Sequence, residues 1–388
     1  MKSIWLAVLG IVIVIIAIAA DWLGLGSRQG FGEKQLMLAA VGTLMILAAL
    51  EMYTGWFRER PPKTQWRILV CCIILLGAFI RVVHLVFVGF DLPFRYGGLF
   101  LEFAEQIVGN GYRMPVRIPF YTDGGIPFAY PPLPFYLEAI LLDVFSLPKF
   151  LVVNLLPPLV AVLTLPLFHL LTRAMGLEPE TRLAALVAYA TMPATFRDLI
   201  EGAGLAEAFG SLALIGFAIS LVWACGQNTV GRYMGVGALW AMCIVSSPGS
   251  AYASIPMILI FAIARLAQRP LQPKLIFRTG SFLGVATLIA LAASSPYWFT
   301  VISNHGLGVF VNTLIDQNVE NRWSFSWVLG HLLSFSVSGA PYPFLWDVII
   351  FGGAIWALFA RRWALLMWFL VFFCIPREYE WLVGLPAA

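Results

Sequence analysis

The sequence predicts an all-α fold: a polytopic bundle of about 10 to 12 transmembrane helices with juxtamembrane helices in its outer loops. Three observations predict it. Of the 388 residues, 61% are hydrophobic and 11% charged, with a mean hydropathy of +0.88, outside the range of soluble globular domains. Apolar runs long enough to cross a bilayer recur along the chain, separated by clusters of proline, glycine and charge. The basic clusters also fall at alternate ends of these runs, so each end can be given a side. The formal charge of +4 says little about nucleic acid, because the basic residues fall at helix ends, and no nucleic-acid partner is expected. The five cysteines, Cys71, Cys72, Cys225, Cys243 and Cys374, lie in or beside apolar runs, which indicates neither a disulfide framework nor a zinc site.

Residues 1–62 read as two additional N-terminal helices and 63–388 as the transmembrane core. The run from Ile4 to Ala20 is longer than a signal-peptide h-region, and Asp21-Trp22-Leu23-Gly24 is a poor cleavage site, so it reads as an uncleaved first span. A second span covers Leu36 to Trp56 and a third Trp66 to Phe90. The cluster Arg58, Arg60, Lys63 and Arg67 between them is cytoplasmic by the positive-inside rule, as is the N-terminus. The third helix then runs outward and places a first loop, 91–150, on the outer face of the plasma or inner membrane. Leu133 to Leu147 carries Glu138 and Asp143 in a short apolar stretch and reads as a juxtamembrane helix. The predicted spans continue as Leu151 to Thr172, Leu183 to Phe196, Leu205 to Cys225, Tyr233 to Val245, Ala251 to Ala264 and Thr279 to Trp298. A second long outer loop, 299–342, follows. Two last spans, Pro343 to Ala360 and Trp363 to Ile375, leave Arg377 outside. The chain stops at Ala388 where another apolar helix could begin, which leaves open that it is a piece of a longer protein.

The most polar interruption of the core is the stretch from Arg81 to Pro134. Asp91 ends a long apolar helix just before Leu92 and Pro93, where a carboxylate can face a cavity near lipid depth; the alternative is a charge that simply ends a span. Arg81 lies about 15 Å earlier along the same helix. A cation there faces protein, water or a phosphate, or it snorkels to the headgroups. Glu102 and Glu105 lie opposite an apolar stripe of Phe100, Phe103, Ala104 and Ile107, the pattern of an interfacial helix with its stripe in lipid and its carboxylates turned away. Solvated surface charge is the alternative for both acids. Gly109-Asn110-Gly111 ends that helix. Tyr112, Arg113, Arg117, Tyr121 and Asp123 then make a mixture suited to a polar or anionic group. Asp198 and Glu201 add two outer acids.

Arg81 with Asp91 at the outer end of a helix, the interfacial helix closing at Gly109-Asn110-Gly111-Tyr112, and Tyr130-Pro131-Pro132-Leu133 leading the return resemble the GT-C superfamily of membrane glycosyltransferases. That superfamily includes protein O-mannosyltransferases, lipid A aminoarabinose transferases and oligosaccharyltransferases. The stretch Leu183 to Glu207, with Met192-Pro193 and Glu201-Gly202, is similar to the family's helix ending in proline before an outer acidic loop. The resemblance implies transfer of a sugar from a polyprenyl-phosphate-linked donor to a lipid, glycan or protein acceptor at the outer face. It implies Asp91 as general base, or as the group binding the nucleophile. Arg377, Arg81 and Arg113 would bind the donor phosphate, and Glu102, Glu105, Asp198 and Glu201 would contact acceptor or metal. Tyr96, Tyr112, Tyr121 and Trp323 are candidates to stack on sugar faces. Many members carry Asp-Glu or Asp-x-Asp where this chain has Asp91-Leu92-Pro93, which leaves a divalent metal open. A transporter or flippase of lipid-linked sugars, and a non-enzymatic membrane subunit, are the alternative readings; the inverted repeat of broken helices expected of a transporter has no counterpart to the prolines Pro157, Pro158 and Pro166.

Overall fold

The computed structural model describes residues 63–310 apart from 95–96, 120–123, 193–194, 197, 201–203, 227–229 and 268–272, with a few positions before residue 43. Along the described residues run α1 (Lys63–Val82), α2 (Leu85–Val88), α3 (Gly97–Gly109), β1 (Arg117–Ile118), β2 (Ile126–Pro127), α4 (Leu133–Asp143), α5 (Lys149–Ala174), α6 (Pro179–Thr191), α7 (Leu205–Gly226), α8 (Val230–Ser246), α9 (Pro248–Ala267) and α10 (Pro273–His305). The fold is therefore helical, with one small hairpin. Among the described residues, three helices are long and apolar enough to cross a membrane, over Lys149–Ala174, Leu205–Ala224 and Leu275–His305, so the chain reads as a membrane protein. The two N-terminal helices expected from the sequence lie outside the described residues apart from a few positions, as do the last two predicted spans and residues 311–342 of the second outer loop; residues 299–305, expected to open that loop, instead continue α10.

The chain divides into two compact units. The first comprises Met1–Gly98 and Pro148–Leu205, and its core is built where α1, α5 and α6 meet. Leu69 and Ile73 of α1 bury against Leu165 of α5 and Leu183, Leu186 and Ala190 of α6. Gly77 sets how closely they approach: a Cβ there would stand 3.0 Å from both Ala190 Cβ and Leu165 Cδ1. Phe168 and Tyr189 stack at 4.2 Å across α5 and α6. Helix α6 begins with Pro179, whose missing N–H costs nothing in a first turn, and it ends at Thr191, ahead of Pro193, because the residue before a proline resists the helical conformation.

Two expected spans differ here. The helix expected to run unbroken from Trp66 to Phe90 stops at Val82. Its hydrogen bonding tightens from Val83 N–H donating to Phe79 O to Val86 N–H donating to Val83 O, at 2.8 and 3.2 Å, across a Val-Val-His sequence that propagates helix poorly. The span expected from Leu183 to Phe196 is instead a helix of 13 residues, about 20 Å long, that starts four residues earlier.

The second unit comprises Leu99–Leu147 and Ala206–Ala388. Helices α8 and α10 pack closely through Gly237, where a Cβ would lie 2.7 Å from Ile289 Cβ. Phe282 of α10 lies against Tyr233 at 4.8 Å and Phe261 at 5.6 Å. The hairpin pairs Arg117 with Pro127 and Ile118 with Ile126, antiparallel. Helix α4 has 11 residues, about 16 Å, too short for a hydrocarbon core of about 30 Å, as its charges predict.

The apolar stripe of α3 is a correction to the sequence reading. Phe100, Phe103, Ala104 and Ile107 are buried in protein rather than turned to lipid. Phe100 stacks on Phe135 of α4 at 5.3 Å, and Phe103 lies 4.8 Å from Phe135 and 5.0 Å from Phe128. Periodicity identifies an apolar face but not what covers it; here α4 and the segment after the hairpin cover it.

Candidate active site

Asp91 is exposed, on a loop that follows α2 directly. Gly89 turns the chain there with φ 71° and ψ −166°, a conformation open to glycine and strained for other residues. Phe90 and Leu92 flank the carboxylate and are themselves 42% and 72% exposed, so Asp91 sits between two apolar side chains facing outward. A side chain from another helix holds the loop. Asn154, in the second turn of α5 and 1% exposed, donates through Nδ2 to Leu92 O at 2.8 Å and Gly89 O at 3.2 Å. Its Oδ1 accepts from Phe94 N–H at 2.9 Å. One buried amide thus satisfies three backbone groups bracketing Asp91. A loop with no regular partner is thereby given a fixed course.

Arg81 takes a different place from the one the resemblance implies. It is fully buried, and its guanidinium caps the C-terminal end of α6: Nη1 donates to Ala190 O at 3.0 Å and Gly77 O at 3.1 Å, and Nη2 to Tyr189 O at 3.2 Å. The Phe196 and Tyr189 rings lie 4.8 and 5.7 Å from its carbon. Helix-end carbonyls carry partial negative charge and need donors, so this cation is occupied in joining α1 to α6. Asp198 is exposed in the turn after α6. That turn closes tightly: a Cβ on Gly204 would fall 2.1 Å from Asp198 O. Glu201 and Arg377 lie outside the described residues, as do Tyr96, Tyr121, Asp123 and Trp323.

In the second unit, Arg113 is exposed. Arg117 closes the hairpin by donating to Gly124 O at 2.7 Å. Glu102 is half-buried and accepts from Gln106 Nε2 at 2.8 Å, and Tyr112 donates its phenolic proton to Asp143 at 2.9 Å. Glu105 is half-buried too, which removes the solvated-surface alternative for it, and lies beside Glu138 of α4. Glu138 is fully buried, with neither carboxylate oxygen hydrogen-bonded among the described residues. Burial first, and the Glu105 charge second, push its carboxyl up from 4.5 to about 8. A carboxyl so placed is a neutral acid at pH 7.

No family model and no curated protein matches the chain. The site therefore rests on its own geometry. Among the described residues, no group of three His, Cys, Asp or Glu side chains is gathered to hold a metal ion.

The loop at Asp91 and the acids on α3 were visible in the sequence as polar interruptions. Asn154 and Glu138 were missed as functional groups. Asn154 had a signal, an amide within an apolar run between Leu151 and Pro158, where a polar side chain needs a partner. In the sequence, Glu138 signals only that its short stretch does not span.

Proposed function

We propose that the chain is an integral membrane glycosyltransferase that moves a sugar from a polyprenyl-phosphate donor to an acceptor hydroxyl at the outer face, within a core of about 10 to 12 spans. The observation that carries the reading is the Asn154 bracket, which holds an exposed carboxylate on a fixed loop at the end of an apolar helix. Fixed placement of a base is worth more in catalysis than its charge alone. Asp91 takes the proton of the acceptor hydroxyl as the acceptor oxygen bonds to the anomeric carbon. The bond from that carbon to the phosphate oxygen breaks, and the lipid phosphate leaves with the electron pair.

A phosphate leaving group requires neutralisation rather than a proton, and Arg113 and Arg377 are the cations assigned to it. Arg81 acts instead by holding α1 to α6. Glu102, Glu105, Asp198 and Glu201 remain the candidates for acceptor or metal contacts. The experiment is incubation of the purified chain with labelled polyprenyl-phosphate sugars and detection of free lipid phosphate. Release that is lost in Asp91→Asn at unchanged protein level supports the reading. Binding of the donor with no release in the wild type favours a transporter or flippase and removes it.

A further inference from the structure

Helix α4 is apolar on two faces, and protein covers one of them. Pro134, Phe135, Glu138 and Ala139 are buried, with Phe135 packed on Phe100 and Phe103 at 5.3 and 4.8 Å. Leu137, Leu141 and Val144 recur at helical spacing on the opposite side. Leu137 is 36% exposed and Val144 65%, with Leu141 half-buried between them. A helix that faces water carries polar and charged residues on such a stripe. The two charges of this helix lie off it: Glu138 is on the covered face, and Asp143 accepts from the Tyr112 hydroxyl at 2.9 Å.

The stripe runs on into a turn that presents more apolar surface. Ser146 takes the left-handed conformation, with φ 50°, which is uncommon for a residue with a side chain. Phe145 N–H donates to Ile140 O at 3.3 Å and Leu147 N–H to Leu141 O at 3.2 Å, so the turn is closed onto the end of α4. Phe145 and Leu147, on either side of Ser146, are left 64% and 39% exposed. Helix α5 begins at Lys149, two residues after Leu147, and is long and apolar enough to cross a membrane. Two residues reach at most about 7 Å, so the turn stands at the mouth of a spanning helix, where hydrocarbon meets headgroups. An exposed apolar surface at that level, on a helix too short to span, is the pattern of an element lying in the plane of the interface. The face in contact with lipid is therefore the open side of α4 and not the stripe of α3, which α4 itself covers.

We propose that Leu137, Leu141, Val144, Phe145 and Leu147 form a membrane-inserted edge of the second unit. The turn at Ser146 is seated among the acyl chains, about 5–10 Å into the boundary between headgroups and hydrocarbon, in the leaflet that holds the start of α5. This goes beyond glycosyl transfer and stands or falls without it. The test places 4-trifluoromethyl-phenylalanine at position 145 of the full chain, reconstituted in phosphatidylcholine nanodiscs, and reads the fluorine NMR line. Phe145 is exposed, so the label replaces it without disturbing a packed core. Phosphatidylcholine carrying a nitroxide at carbon 5 should broaden the line at least threefold more than a water-soluble gadolinium chelate does. The same label at position 144 should give the same order. Stronger broadening by gadolinium at both positions would mean a turn in water and would overturn the proposal. Broadening by neither agent would mean a protein cover, a second copy or another segment of this chain, and would overturn it equally.

Discussion

Replacing Glu138 with Gln should stabilise the protein above neutral pH and change little below pH 5. The folded-state pKa of about 8 lies above the ordinary value of 4.5. Between those values the native protein holds a proton that the unfolded chain has released, so stability falls as pH rises from about 4.5 and levels off beyond about 8. At pH 7 the difference is two to three pKa steps, on the order of 3 kcal/mol. Gln has nearly the same shape and no charge to desolvate, so it removes this dependence. The assay is thermal unfolding of the full chain in detergent micelles between pH 5 and 8.5, followed by tryptophan fluorescence. The wild-type midpoint should drop across the window by several degrees more than that of Glu138→Gln. Glu105→Gln should shrink the wild-type slope without abolishing it, because burial is the larger cause. Parallel profiles for wild type and Glu138→Gln would refute the reasoning. So would a Gln variant less stable at pH 8, since that would require an ionised Glu138 with a partner.

Arg81→Lys should destabilise the protein by roughly 2 kcal/mol or more, because a single ammonium cannot reach Gly77 O, Ala190 O and Tyr189 O together and leaves carbonyls unpaired; the thermal midpoint measures it. Asn154→Ala should cost roughly 1–3 kcal/mol for the three stranded backbone groups. It should also speed hydrogen exchange at Phe94 and lower transfer in proportion to the loosened Asp91 loop. Asn154→Asp, which keeps the acceptor for Phe94 N–H and loses both donors, should fall between the two.

Hydropathy and proline placement located most of the described helices, because both act locally: α5 and α7 match their expected spans to within two residues at each end. The break at Val83 and His84 and the brevity of α6 were less legible, since apolar content continues through both. The site divides in the same way. Asp91 stood out because a carboxylate beside Leu92 and Pro93 contrasts with its surroundings. Arg81 stood out equally, but its partners are carbonyls at the end of α6, more than a hundred residues away, and every helix has such carbonyls. Sequence alone therefore gave no reason to prefer them over a phosphate. The fate of Glu105 was hidden for a related reason: the face of α3 was clear, while the identity of its cover depended on how α4 folds back upon it.

The proposed base in glycosyl transfer from a lipid phosphate is Asp91, held by Asn154. The most direct measurement is release of labelled lipid phosphate from polyprenyl-phosphate sugars by purified wild-type and Asp91→Asn proteins at equal amounts and equal thermal midpoints. Release by the wild type and its loss, by a factor of at least about a hundred, in Asp91→Asn is the expected result. Equal release by the two proteins would contradict it.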